Sequence, residues 1–146
     1  MADRPAVEVV RHVHATLAEV WPYLAEGRLW SLWQGVDAAV QAVVGGSYRM
    51  RMADGSEASG EVVEVVEHRR IVFTWGWTGA AFTLPPGSTV VEIDLEPVPG
   101  GTLIRLVHRD LPEHLRAPHE AGWTHYLGRL ALLAEGSDPG PDLGPG

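Results

Sequence analysis

The sequence predicts an α+β fold built on one antiparallel sheet, and three observations carry that prediction. From His119 onward, Trp123, Leu127, Leu130 and Ala134 recur at steps of three and four, with Tyr126 and Leu133 widening the stripe. This is the spacing of an amphipathic helix with one broad apolar face, and Glu120, His125 and Arg129 fall on its polar back. Ahead of it the chain reads as short runs of alternating apolar and polar residues, the period of half-buried strands. Strands and helices are also segregated along the chain, which favours an antiparallel sheet over a βαβ arrangement. A sheet with one apolar face needs a cover, and this helix is the one segment long enough to supply it.

In chain order, Met1–Ala6 is a polar lead-in and Val7–Val13, rich in β-branched residues, is a first strand. Thr16 and Glu19 then make a capping box, a hydroxyl for the first free N–H groups and a carboxylate reaching back. The short helix they open carries Leu17, Val20, Trp21 and Leu24, with Pro22 placed to shorten or bend it. Gly27 breaks it, and Arg28–Trp33 is a second short helix or structured turn whose Trp30 and Trp33, three apart, share a face.

A meander of about six strands follows. Ala39–Val44 is its first strand, closed by a hairpin turn at Gly45–Gly46. Ser47–Met52 puts Tyr48, Met50 and Met52 on one face and Arg49 and Arg51 on the other. Asp54–Gly55 turns into a strand running through Gly60 to Val66; Ile71–Trp77 is the next, and residues 78–88 form a long loop. Val90–Leu95 sends Val91, Ile93 and Leu95 inward and Glu92 and Asp94 outward, and Pro99–Gly101 turns into Thr102–His108. Pro118 is expected in the first turn of the long helix, where its missing N–H lacks an intrahelical partner anyway. Gly136 and Pro139 end that helix. The whole is read as one domain, with a core over residues 7–134 and a Gly/Pro-rich tail over 135–146 too poor in apolar side chains to fold alone.

Composition excludes several chemistries. Cysteine, lysine and asparagine are absent, which removes disulfides, thiol nucleophiles, thiolate metal sites, Schiff bases and the P-loop lysine together. With a net charge of −8, nucleic acid and anionic membrane surfaces are not expected as partners. The adjacent pair Arg69–Arg70 precedes a strand and reads as a solvated turn. No apolar run approaches the ~20 residues that span a bilayer, and no basic-then-apolar leader opens the chain, so a cytoplasmic location is expected.

The landmarks Val20–Leu24, Leu29–Trp33, Gly45–Arg49, Gly60, Arg70–Trp75, Gly101–His108 and Gly122–Trp123 arrive in an order that resembles the START-like SRPBCC superfamily, the helix-grip fold. Within it the chain is most similar to the bacterial branch homologous to the activator of heat-shock-protein-90 ATPase. The resemblance spans residues 7–134. It implies a curved antiparallel sheet of six to seven strands wrapped on a long C-terminal helix, with two short helices after the first strand. It also implies a cavity between sheet and helix that superfamily members use for lipids, polyketides or other small molecules. A chaperone partner is the alternative the branch implies, and a polyketide cyclase- or hydrolase-like enzyme is a second.

For the cavity, Trp123, Tyr126 and Leu127 supply the helix side, and Tyr48, Met50, Trp75 and Trp77 the sheet side. Trp30 and Trp33 stand where such a cavity opens, either gating it or stapling the short helices to the sheet. His108 ends a strand in register with Ile104 and Leu106, so it is the candidate to orient a polar group of a ligand. Thr74, Asp110 and Tyr126 are its candidate polar neighbours. No catalytic residue is assigned: there is no Gly-x-Ser-x-Gly elbow, and Ser56 and Ser59 have no acid–base partner in the sequence. No metal or cofactor is expected. His119–Trp123 opens like a zincin motif but has Trp123 where the second histidine belongs, His119 and His125 lie on different helix faces, and the strand pair His12 and His14 has no third ligand. The sequence carries no signal of oligomeric state.

Overall fold

The C-terminal helix α4 spans Glu113–Ala134 and begins one full turn earlier than its sequence suggests. Residues 6–80 and 83–142 are described in this computed structural model; residues 1–5 of the expected lead-in, part of the long loop at 81–82 and the end of the tail at 143–146 lie outside them, and Ala6, expected in the lead-in, opens the first strand. Pro118 therefore sits inside α4 rather than in its first turn. Leu115 and His119 explain the extension: with Trp123 and Leu127 they continue one buried stripe at steps of four toward the N-terminus. Burial of that stripe outweighs the hydrogen bond that Pro118 cannot donate. Arg129 corrects a second expectation, since it is 9% exposed and not part of a solvated back.

Among the described residues, seven strands form one antiparallel sheet in the order β1-β7-β6-β5-β4-β3-β2. They are β1 (Ala6–Val13), β2 (Asp37–Val40), β3 (Ser47–Arg51), β4 (Glu57–Val66), β5 (Arg70–Thr78), β6 (Thr89–Val98) and β7 (Gly101–Arg109). β2 to β7 run as a meander of hairpins, and β1 joins the far edge by pairing with β7 from Ala6↔Arg109 to Val13↔Thr102. Register places Val7, His108, Val91, Phe73 and Val62 in one row across five strands, with Leu106, Ile93 and Ile71 in the next. These residues are buried and face α4, as period-two alternation requires. The bulge between Val62 and Glu64 interrupts the β4–β5 ladder, and such a bulge bends its strand. The other face carries ion pairs. Arg70, expected in a solvated turn, instead opens β5 and reaches Asp94 at 2.7 Å, Glu64 at 3.2 Å and Glu92 at 3.6 Å.

β2 is earlier and shorter than Ala39–Val44. Asp37 pairs in register with Arg51 and lies within 3.8 Å of Arg49 and 3.7 Å of Arg51, which draws it into the ladder. Val43 and Val44 instead project from the turn at 62% and 70% exposure.

Between β1 and β2 lie α1 (Leu17–Val20), α2 (Pro22–Ala25) and α3 (Gly27–Trp30). The capping box forms, with Thr16 Oγ1 accepting from the Glu19 amide at 3.2 Å and Glu19 accepting from the Thr16 amide at 2.8 Å. Hydrogen bonding from Thr16, its amide first and its hydroxyl second, holds the Glu19 carboxyl below its usual pKa. Pro22 divides the first expected helix in two, because it has no N–H for the next rung and starts α2 at its favoured N1 position. Gly27 does not end a helix but begins α3: a Cβ there would stand 2.9 Å from the Ala38 carbonyl oxygen. Trp30 and Trp33 do share a face, stacked at 5.0 Å. Among the described residues no helix is long and apolar enough to cross a membrane.

Candidate functional site

A cavity of about 600 Å³ lies between the sheet and α4. β5 contributes Trp75 and Trp77, and α4 contributes Pro118, His119, Gly122, Trp123 and Tyr126. Gln34–Val36 after α3, the β3–β4 turn with Met52, Asp54 and Ser56, and Asp142 from the tail complete it. The wall is mainly apolar, and the rings of Trp75, Trp77, Trp123 and Tyr126 stand in it. Trp75 lies 5.0 Å from Trp123 and 5.3 Å from Trp77, whose ring is perpendicular to it, and Tyr126 is edge-on to Trp123 at 6.5 Å.

Two of these indoles are held by histidines. Trp123 Nε1 donates to His108 Nδ1 at 3.0 Å. An indole nitrogen only donates, so His108 Nδ1 must be the bare acceptor and Nε2 must carry the proton. That Nε2 faces Thr89 Oγ1 at 2.8 Å, and Thr89 in turn donates to the Trp75 carbonyl at 2.8 Å. The relay is fully satisfied. Trp77 Nε1 likewise donates to His119 Nε2 at 3.0 Å, leaving His119 Nδ1 protonated toward the Leu115 carbonyl at 2.7 Å. The two histidines are thus fixed as opposite neutral tautomers. Burial pushes the His108 pKa down to about 3, with proximity to His119 adding to the shift. It pushes His119 down as well, against the opposing pull of the Leu115 bond.

Gln34 anchors the opposite corner. Its Oε1 accepts from Trp30 Nε1 at 2.8 Å and from the Tyr48 hydroxyl at 3.2 Å, which fixes the orientation of its amide. Burial raises the Tyr48 pKa well above its ordinary value. Among the described residues, Trp75 Nε1 is the buried side-chain polar atom left without a hydrogen-bond partner, and the Trp75 ring is flanked by those of Tyr48, Phe73, Trp77, His108, His119 and Trp123.

Side chains that the sequence places on a polar helix back hold the tail against the body. Arg129 donates to the carbonyls of Leu32 at 3.0 Å, Trp33 at 3.3 Å, Pro139 at 3.4 Å, Gly140 at 2.9 Å and Pro141 at 3.4 Å. Asp142 then accepts from the Gly35 amide at 3.2 Å and lies 2.8 Å from His125 Nε2. Tyr126 stands between this rim and the cavity. Burial, reinforced by the Asp142 and Asp54 carboxylates, pushes its phenol up to about 12.

Of the residues expected to bind a ligand, Trp75, Trp77, Trp123 and Tyr126 converge on the cavity. Trp30, Trp33, Tyr48, Met50, His108 and Leu127 are packed behind its wall, each no more than 1% exposed. Tyr48, Met50 and His108 lie on the inner face of the sheet and Leu127 on the underside of α4, while Trp30 ends α3 and stacks on Trp33 just beyond it. Trp33 is tied to the Tyr23 carbonyl at 2.9 Å, in keeping with a staple. The polar partners of His108 are Thr89 and Trp123, while Thr74 accepts from the Glu61 amide. His119, Gly122, Met52 and Gln34 also line the wall; the sequence reading puts Met52 on the Tyr48–Met50 face and misses the other three. The signals for the first three lie in the sequence: His119 stands four before Trp123, Met52 continues the Tyr48–Met50 face, and Gly122 is a weak helix former mid-helix. Gln34 and Asp142 carry no such signal. No group of three or more potential metal ligands occurs among the described residues.

Comparison with known proteins places this architecture. No curated protein matches the chain. The AHSA1-like protein RHE_CH02687 from Rhizobium etli is 40% identical, with 98% of this chain and 89% of that one covered at a TM-score of 0.74. Protein MLL2253 from Mesorhizobium loti shares the fold at 21% identity, covering 88% of this chain and 96% of that one with a TM-score of 0.79. DynU16, from the dynemicin biosynthetic locus, is 26% identical over 94% of this chain with a TM-score of 0.78, and the chain spans about half its length, 49%. The family model described as "Activator of Hsp90 ATPase homolog 1-like protein" matches residues 14–135. Fold, landmark order and this match agree: the chain belongs to the AHSA1 family, within the START-like SRPBCC proteins.

Proposed function

We propose that this protein binds a small apolar or aromatic molecule in the cavity between its sheet and α4, in the cytoplasm and without transforming it. The observation that carries the reading is the cavity itself. Its volume of about 600 Å³ falls in the range of small-molecule sites, and three tryptophans and a tyrosine line it around few polar groups. Lipids and polyketides are the ligand classes that the superfamily resemblance implies, and the similarity to DynU16, from the dynemicin biosynthetic locus, is in keeping with a small biosynthetic molecule.

Gly122 adds weight. A Cβ there would meet one atom within 4 Å, Tyr126 Cε2 at 3.8 Å, so a side chain at this position has open space on the cavity side. Native mass spectrometry of the purified protein, compared with its denatured mass, should reveal a bound molecule that denaturation releases. Gly122→Leu should keep the fold and exclude that molecule by filling the cavity. Unchanged binding in folded Gly122→Leu and Trp123→Ala would place the ligand elsewhere and overturn the reading.

The family's description favours a second reading, an interaction with the Hsp90 chaperone. It predicts stimulated ATP turnover by a bacterial Hsp90, and absence of stimulation at high micromolar protein would sink it. An enzymatic role for His108 as general base is disfavoured, because both ring nitrogens are engaged and its pKa of about 3 makes it a weak base.

A further inference from the structure

The cavity has a charge preference as well as a shape. The ionised side chains on its wall are Asp54 and Asp142, and among the described residues no arginine lines it. The two carboxylates sit toward the same end: Asp142 accepts from the Gly35 amide, and the next residue, Val36, donates to the Arg51 carbonyl at 2.9 Å, where β3 runs into the turn that carries Asp54. Asp54 is held by the Ser56 amide at 2.8 Å and hydroxyl at 2.6 Å, and Asp142 by Gly35 and His125. Arg129 reaches Tyr126 electrostatically, but its guanidinium is turned into five backbone carbonyls and does not line the cavity. His119 is neutral, as its hydrogen bonds require. Beyond the carboxylates, the wall presents Trp75, Trp77, Trp123 and Tyr126, whose π faces attract cations and repel anions. The chain's net charge of −8 has the same sign.

We propose that the cavity takes molecules joining an aromatic or alicyclic body to a cationic nitrogen, seated with the nitrogen at the Asp54–Asp142 end, and rejects carboxylates, sulfonates and phosphates. This rests on the cavity-binding reading above. It also narrows that reading, because free fatty acids and phospholipids would bring an anion to a wall with no arginine among its described residues.

Three probes of one shape separate the two ideas: 1-pyrenemethylamine, protonated near neutral pH, uncharged 1-pyrenemethanol, and 1-pyrenecarboxylate. Titrations followed by fluorescence anisotropy should rank them in that order, with the amine about tenfold or more tighter than the carboxylate at low salt. Raising salt to about 0.5 M should shrink the ratio without weakening the alcohol. The double variant Asp54→Asn, Asp142→Asn keeps hydrogen-bond acceptors for Ser56 and Gly35, and should bring the amine and alcohol together. Should that variant fail to fold, the salt dependence of the unaltered protein decides. Equal binding of all three probes, or tightest binding of the carboxylate, overturns the charge preference and leaves the cavity reading standing. Failure of all three to bind overturns both.

Discussion

At the scale of single residues, the site is organised by what an indole nitrogen demands. Buried tryptophan brings a donor that favours a partner, and here imidazole meets it twice, His108 for Trp123 and His119 for Trp77, while Trp75 Nε1 stays unmet. Each histidine acts as an acceptor toward an indole, a role open only to the neutral ring. Protonation of His108 would put an N–H against the Trp123 N–H inside the core. Burial, with His119 adding to it, lowers the pKa of the folded state to about 3, far below the value of an unfolded histidine. Its contribution to stability is complete above about pH 6.5 and is lost as pH falls toward the folded value, at about 1.4 kcal/mol per pH unit. His119 is shifted the same way. Denaturant unfolding should show stability falling between about pH 6.5 and 5, above the range where carboxylates dominate. His108→Gln, which keeps an acceptor for Trp123, should flatten that slope; an unchanged slope would show that the histidine does not carry it.

The element that combines cover and wall is α4. Its buried stripe from Leu115 to Leu127 closes the core, and Pro118 and Gly122, two poor helix formers, stand where the helix borders the cavity. Neither is explained by helix stability. Pro118 forfeits the rung to the His114 carbonyl and crowds it, at about 3 kcal/mol in a helix interior, offset by about 1 kcal/mol through its stiffening of the unfolded chain. Pro118→Ala should accordingly raise stability by about 2 kcal/mol, read as a higher denaturant midpoint with an unchanged slope. A loss of stability would mean that the ring's packing outweighs the missing hydrogen bond. The short helices show the opposite relation, since their boundaries follow local chemistry: the Thr16–Glu19 box starts α1, and Pro22 separates it from α2.

Over the whole molecule, contacts distant in sequence join the two ends of the chain to the frame. Pairing of β1 with β7 ties the N-terminal strand to the last one. Arg129 ties the tail to the end of α3 through carbonyls at Leu32 and Trp33, roughly a hundred residues away in sequence, |i−j| of 97 and 96. Asp142 thereby reaches the cavity rim. Arg129→Met keeps much of the side-chain bulk and leaves those buried carbonyls unmet, at about 1–3 kcal/mol each where water cannot replace the donor. It should cost about 2–4 kcal/mol in denaturant unfolding and open the chain beyond Glu135 to limited proteolysis. A variant as stable and as protease-resistant as the parent would show that the tail is held by other contacts.

The sequence by itself determined the class of fold, most strand positions, the capping box and the inward sets Tyr48–Met50–Met52 and Val91–Ile93–Leu95, because alternation, capping and turn chemistry act between near neighbours. It also identified Trp75, Trp77, Trp123 and Tyr126, whose periodicity puts them on inner faces. Periodicity names the face of an element but not the depth at which the opposing element meets it. For that reason Tyr48, Met50, His108 and Leu127 share faces with the cavity residues and yet lie behind them. Tertiary structure alone decided that Arg129 turns inward to unpaired carbonyls, that Asp142 reaches the rim, and that each histidine pairs with a tryptophan from another element. These are hydrogen-bond demands met across the fold, and the sequence around either partner does not encode where the other will be.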